Sequence, residues 1–496
     1  MLFTTAVFTL LFLPVVLIGF FAAPSAKLAA GWLFLASVFF YGYWMPEFTL
    51  LLLGSICGNY FFGSQIARRV KGIGTDRRVD RARAWLVAGI VLNLGLLSYF
   101  KYSNFFIENF ASAVGAHWNF HHVTLPIGIS FFTFTQIAFL VDAYRQRVTD
   151  FSFSHYGLFV TYFPHLIAGP ILHHSQMMPQ FGLRKTYVFD TSSFAVGMAI
   201  FALGLIKKVI LADGISPYAD AIFKPVDAGH IPTLAEAWLG ASAYTLQLYF
   251  DFSGYSDMAI GLSKMFNIRL PLNFNSPYRA VNISDFWRRW HISLSTFLRD
   301  YLYIALGGNR HGEIRRYANL LATMILGGLW HGASWSFVLW GALHGIYLVV
   351  NHGFRAMLGE SKLRAWDASR IATVLSWALT MLSVIVAWVF FRAETFSGAA
   401  RMLQGMSGNT PSFAVQPLLW NAGLNLSAGA WWCLSLGALA LLPCNSNHIG
   451  EQLVEKCSGS VATWSFVGGA ASLAVIFLVL ISTARDSSSA FIYFNF

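Results

Sequence analysis

The chain of 496 residues is 56% hydrophobic, 17% aromatic and only 11% charged, with a mean hydropathy of +0.57. A soluble domain carries about 25% charged residues, and a chain this apolar could not cover a water-facing surface, so a soluble globular protein is excluded and a polytopic membrane protein remains. The formal charge of +11, from 33 Lys and Arg against 22 Asp and Glu, lies in loops between apolar runs; the positive-inside rule accounts for it, and no nucleic-acid partner is implied.

The first apolar run covers residues 5–23. No basic stretch precedes it, and Ala22, Ala23 and Pro24 make a poor cleavage site, so a retained membrane helix is expected rather than a signal peptide. Further runs suited to a hydrocarbon core of about 30 Å follow. They cover 28–45, 48–66, 85–100, 124–142, 155–172, 193–212, 236–262, 317–333, 335–352, 371–391, 430–443 and 463–482. Some are short or polar, which gives an expectation of about ten to thirteen membrane helices. With no linker or repeat between them, 1–496 reads as one membrane domain. It divides into N-terminal helices over 1–123, a core over 124–353 that carries the chemistry, and C-terminal helices over 354–496. Cys57, Cys433, Cys444 and Cys457 show neither a metal spacing nor a disulfide framework.

Charge sets the orientation. Residues 67–84 hold Arg68, Arg69, Lys71, Arg77, Arg78, Arg81 and Arg83, and 354–370 add Arg355, Lys362, Arg364 and Arg370. Residues 103–122 have no Lys or Arg, and 407–430 have no charge. The basic loops should face the cytoplasm and the uncharged ones the outside, with the N-terminus outside. The stretch 264–316 fits neither loop nor span. It mixes Arg269, Arg279, Arg288, Arg289, Arg299 and Arg310 with Trp287, Trp290, Tyr301 and Tyr303, as short amphipathic helices at the interface would.

The residues able to do chemistry follow. His331, in Gly-Gly-Leu-Trp-His-Gly over 327–332, should lie deep in the membrane if its helix begins near Tyr317. Fourteen residues at 1.5 Å each give a rise of about 21 Å. An ionisable group at that depth is a functional candidate; the structural alternative is a neutral ring donating to a carbonyl. Gly327, Gly328 and Gly332 would let backbone or substrate approach closely. His291 in Trp-Arg-Arg-Trp-His is a second polar candidate, or else a member of an interfacial aromatic belt. His344 and His352 share a helix face, and His117, His121 and His122 form an isolated cluster; neither group has the spacing of a metal centre, so no metal is expected. Asp251 and Asp257 lie inside an apolar segment, where they orient a catalytic histidine, hold a buried hydrogen-bond network or relay protons. Asp142 should pair locally with Arg145.

These motifs, taken together, resemble the membrane-bound O-acyltransferase superfamily, in the branch of alginate O-acetylases and teichoic-acid D-alanine exporters. The resemblance rests on LPIGISFFTFTQIAFLVDAYR at 125–145, FPHLIAGPI at 163–171 and YFDFSGYSDMAIG at 249–261. It continues in LPLNFNSPYRAVNISDFWRRWHISLSTFLRDYLY at 270–303, GGLWHGASWSFVLWGALHG at 327–345 and FIYFNF at 491–496. It implies an all-α ring of membrane helices with re-entrant or interfacial helices around a thin core, His331 as the essential histidine and His291 at the family's second polar position. It also implies acetyl-CoA as a cytoplasmic donor substrate with no further cofactor, and a hydroxyl acceptor reached from outside. The expected setting is a bacterial inner membrane, amid lipid. An SGNH-type periplasmic acyltransferase and polysaccharide synthesis machinery would be the partners. Alginate-, cellulose- or peptidoglycan-type polymers are the candidate products.

The residue chemistry agrees. A thioester has a good leaving group and needs chiefly a base for the attacking hydroxyl, which a neutral imidazole supplies near pH 7. Trp330 would exclude water. Arg288, Arg289 and Arg299 are candidates for the donor's phosphates, because guanidinium groups bind phosphate bidentately. The alternatives are D-alanyl transfer from a carrier protein, or a proton-coupled transporter or flippase. The transporter should show inverted repeats with paired broken helices, and none is evident.

Overall fold

The structure is a computed structural model that describes residues 2–70, 76–115, 122–148, 150–167, 169–409, 417–443, 445–456, 461–484 and Ile492. Helices supply the regular structure of the described residues, with no strand among them. Among the described residues, six helices are long and apolar enough to cross a membrane: Pro46–Val70, Asp80–Ala113, Thr191–Asp227, Trp335–Arg364, Arg370–Arg392 and Thr463–Thr483. Val7–Ala22, Ala26–Gly42, Ile129–Tyr144 and Leu426–Ala440 are shorter and also apolar. Large apolar side chains such as Leu50, Val91, Leu379 and Phe466 are exposed, as lipid-facing residues would be. The chain is an all-α polytopic membrane protein.

Three expected elements differ. The run 155–172 is broken into Phe153–Thr161 and Phe163–Leu166, because Pro164 has no amide hydrogen to continue the ladder. The run 85–100 continues as helix to Ala113, so part of the expected outer loop is helical. The basic stretch 354–370 is helical as well: Trp335–Ala368 runs through it with a kink at Gly359, whose φ is 68°. Arginine and lysine are good helix formers, so a basic run marks a side of the membrane without ending a helix. Cys444, Cys457, His117, His121 and Lys71 lie outside the described residues.

The chain groups into two compact units, one of Met1–Leu205, Tyr255–Leu272 and Ser446–Phe494, the other of Ile206–Gly254, Asn273–Asn445 and Asn495–Phe496. In the first, Phe3, Phe8, Phe12, Phe40 and Phe163 form an aromatic cluster, with Phe40 and Phe163 centroids 5.6 Å apart. Gly197 and Gly261 let two helices touch: a β-carbon on either would lie 2.6 or 2.5 Å from the other's carbonyl oxygen. The second unit is built on the antiparallel hairpin of Glu313–His331 and Trp335–Ala368. Its helices also pack through glycine. A β-carbon on Gly328 would meet the Phe337 carbonyl oxygen at 2.2 Å, and one on Gly341 the Met324 carbonyl oxygen at 2.3 Å. These contacts fix the end of the first helix, where the site begins.

Candidate active site

His331 is the last residue of Glu313–His331 and is 4% exposed. The helix starts at Glu313, one turn before the expected Tyr317, so the rise to His331 is about 27 Å over 18 residues. The backbone turns extended at Gly332, and a β-carbon there would lie 2.1 Å from the Phe337 ring. Of the three glycines expected to make room, Gly328 and Gly332 serve the hairpin itself. Around the imidazole stand Trp330, Trp340 and Phe391, with centroids at 5.0, 5.0 and 5.3 Å and planes at 72°, 89° and 70°. Few waters could enter such a shell.

His291 completes the pair. Its ring centroid lies 6.5 Å from that of His331. It caps the helix Ile292–Phe297 in the left-handed region, at φ 43° and ψ 55°, which a side chain as large as imidazole adopts only when its surroundings hold it there. Asn273 is the holder. Its Oδ1 accepts from the Ser293 amide at 3.2 Å and the Ser293 hydroxyl at 2.9 Å, and stands 3.1 Å from His291 Nδ1. A backbone N–H can only donate, so this Asn273 atom is the oxygen, and His291 must present Nδ1–H to it. The lone pair of the neutral ring is therefore on Nε2. Burial pushes the His291 pKa down to about 3, so it is neutral at ordinary pH. The edge of Phe252 packs against it at 4.7 Å.

The two intramembrane carboxylates are held by fixed partners. Asp251 and Asp213 both bind the Lys208 ammonium at 2.9 Å, forming a triad in which Lys208 and Asp251 are buried and Asp213 is half-buried. Lys208 lies, buried, on the π-helical stretch Ile206–Ala212, a local widening of the helix. In the first unit, Asp257 accepts from the Ser446 hydroxyl and from Asn447 Nδ2, the latter at 2.7 Å. Both carboxylates thus serve buried polar networks of their own. Asp142, expected beside Arg145, binds His174 Nδ1 at 3.1 Å and lies 3.9 Å from Arg147.

Below His331 the same helix lines a cavity of about 580 Å³, to which Arg316, Thr323 and Met324 contribute. Trp287 and Arg299 line it from the short helices, and Leu348 and His352 from the second arm of the hairpin. Of the three donor-binding candidates, Arg299 is at this cavity, bound to Asp300 through Nε at 2.7 Å and 61% exposed. Arg289 Nε is tied to Asp285 at 2.9 Å, and Arg288 is exposed. Arg316 was missed; it approaches His352 Nδ1 at 3.3 Å. Lys208, Asn273 and Arg316 are all legible as polar residues, but sequence spacing does not reveal what they touch.

The family model for membrane-bound O-acyltransferases matches residues 87–392. The chain belongs to that family. Among its relatives, the peptidoglycan O-acetyltransferase of Helicobacter pylori is 43% identical over 437 residues, covering 82% of this chain and 80% of that protein. The alginate O-acetylase AlgI of Pseudomonas aeruginosa is 44% identical over 411 residues, covering 82% and 75%. The teichoic acid D-alanyltransferase of Bacillus subtilis is more distant, 26% identical over 286 residues, covering 56% and 71%. The protein is a multi-pass membrane acyltransferase, and His291, His331 and the cavity below them all fall within the matched residues.

Proposed function

We propose that this acyltransferase takes an acetyl group from cytoplasmic acetyl-CoA and delivers it across a bacterial inner membrane for O-acetylation of an extracytoplasmic polysaccharide, of the alginate or peptidoglycan type named for its relatives. The observation that carries this reading is one helix bearing an arginine at a cavity near its start and a shielded imidazole at its end, with a second imidazole 6.5 Å away. As the acceptor hydroxyl oxygen attacks the thioester carbonyl carbon, His331 takes the hydroxyl proton. The C–S bond then breaks, and the imidazolium returns that proton to the departing thiolate, so CoA leaves as the free thiol. The imidazolium forms at a helix C-terminus, where the dipole stabilises a cation by about 0.3–2 kcal/mol. His291, held in one tautomer by Asn273, positions the reacting groups. The acceptor hydroxyl belongs to a periplasmic SGNH-type partner that passes the acetyl group to the polymer.

Acetyl transfer is favoured over D-alanyl transfer by the 43–44% identity to O-acetylases against 26% to the D-alanyltransferase. A proton relay through Asp251 is disfavoured because the Lys208 ammonium already holds that carboxylate. The test uses sealed, inverted membrane vesicles, which keep the native acceptor inside. Acetyl-CoA labelled in the acetyl group is added outside. Alkali-labile label should appear on material in the lumen, with free CoA left outside, and His331→Ala vesicles should remain unlabelled. Intact acetyl-CoA accumulating inside would establish a transporter, and label confined to the outer face would refute transfer across the membrane.

A further inference from the structure

Three buried side chains in the second unit touch one another and have polar atoms with no hydrogen-bond partner. His344 is 0% exposed, and neither Nδ1 nor Nε2 has a partner; the indole nitrogens of Trp287 and Trp340 are in the same state. The Trp287 and Trp340 rings lie 5.2 and 4.8 Å from the His344 ring. Buried polar groups are nearly always paired, and an unmade bond weakens the fold. Three adjacent exceptions, with an imidazole able both to donate and to accept, mark a place where something polar binds.

Their position says what. Trp287 lines the 580 Å³ cavity, and so do Leu348 and His352, one and two helical turns from His344 on the same face of Trp335–Ala368. On the other side, Trp340 lies 5.0 Å from His331. The cluster therefore bridges the cavity that holds Arg299 and Arg316 and the imidazole that does the chemistry. A donor with phosphates at those arginines and a thioester at His331 must lay its intervening segment across His344. In an acyl-CoA that segment is pantetheine, an aliphatic arm with two amides. Its amide carbonyls match the indole N–H groups, and a neutral imidazole can serve an amide N–H or a carbonyl.

We propose, on the basis of the acetyl-thioester reading above, that His344 is a specificity-determining residue that hydrogen-bonds the amides of the donor's pantetheine arm, assisted by the indole N–H groups of Trp287 and Trp340. Phosphopantetheine on a carrier protein offers the same arm, so the donors compared are acetyl-CoA, an acetylated carrier protein and S-acetyl propanethiol, which has no amide. Free thiol release by the full-length protein in native membranes is the readout. His344→Phe keeps the ring and its volume and removes the nitrogens. It should lower kcat/KM about tenfold for whichever pantetheine donor the wild type prefers, and leave S-acetyl propanethiol unchanged. His344→Gln should restore most of the loss. A structural role would lower all three donors together and would overturn the proposal. If His344→Phe does not fold, Trp287→Phe, which removes one indole N–H, must show the same donor-selective loss, and an equal loss for all donors refutes it. If the wild type transfers from no donor, the acyl-transfer reading fails separately. Equilibrium binding of labelled CoA then decides: equal affinity in the wild type and His344→Phe ends the proposal.

Discussion

Two buried histidines, one in each unit, are used in opposite ways. His174, in the first unit, faces an oxygen with each ring nitrogen: Asp142 Oδ2 lies 3.1 Å from Nδ1 and the Arg147 carbonyl 3.2 Å from Nε2. His344, in the second, is also buried, within Phe286, Trp287, Trp340, Tyr347 and Trp388, and has neither nitrogen engaged. His291, in the same unit as His344, has Nδ1 committed to Asn273, which puts the lone pair of the neutral ring on Nε2. Burial alone therefore says little about a histidine. What separates a strut from a working group is how many of its two nitrogens the fold has already consumed.

The comparison can be broken by substitution. The largest effect is expected at His331. Replacing it with Ala should lower the acetyl-transfer kcat by about 10³-fold or more, the scale of a lost general base, with membrane insertion and yield unchanged. Turnover close to wild type would remove it from the mechanism. At His291, Ala should cost about a hundredfold in kcat and Asn only about tenfold, because an amide can still bond to Asn273. Equal and complete loss in both would mean that the imidazole itself transfers a proton.

Smaller effects should follow from the cavity. Arg299→Ala and Arg316→Ala should each raise KM for acetyl-CoA by about three- to tenfold with little change in kcat, since a phosphate contact is made alike in ground and transition states. Arg289→Ala should do less, because Arg299 and Arg316 line the cavity whereas Arg289 is turned to Asp285 and the Asn275 carbonyl. A fall in kcat with KM constant would put the arginines at the reacting centre. The smallest effect on catalysis belongs to His174. His174→Leu removes one of the partners of buried Asp142, so stability should drop by about 1–3 kcal/mol, seen as a lower Tm in detergent. Turnover per folded molecule should stay within about twofold of wild type, and a larger loss would make His174 part of the working machinery.

How much of this was legible before the structure follows from range of interaction. Asp257 was readable as a buried polar residue, but its partners Ser446 and Asn447 are nearly two hundred residues away in the chain. The approach of His174 to Asp142 could not be read from spacing, because it comes through the packing of a separate helix. His344 could be flagged only as one of two histidines on a helix face, since spacing along one helix shows which residues align and not what surrounds them. The broken run 155–172 was within reach: Pro164 was visible, and its missing amide hydrogen was the warning.

Composition and hydropathy by themselves determined the membrane setting and the all-helical class, because backbone groups in hydrocarbon must bond within their own segment. Local motif, read residue by residue, also singled out His331 as a candidate, since an ionisable group at membrane depth is a functional candidate, and put His291 beside it as a second polar candidate. Tertiary structure alone decided which nitrogens remain available, which charges neutralise one another and where a cavity opens. Those outcomes depend on which side chains from distant segments come within about 3–6 Å, the reach of hydrogen bonds and ring contacts, and no one-dimensional pattern encodes that.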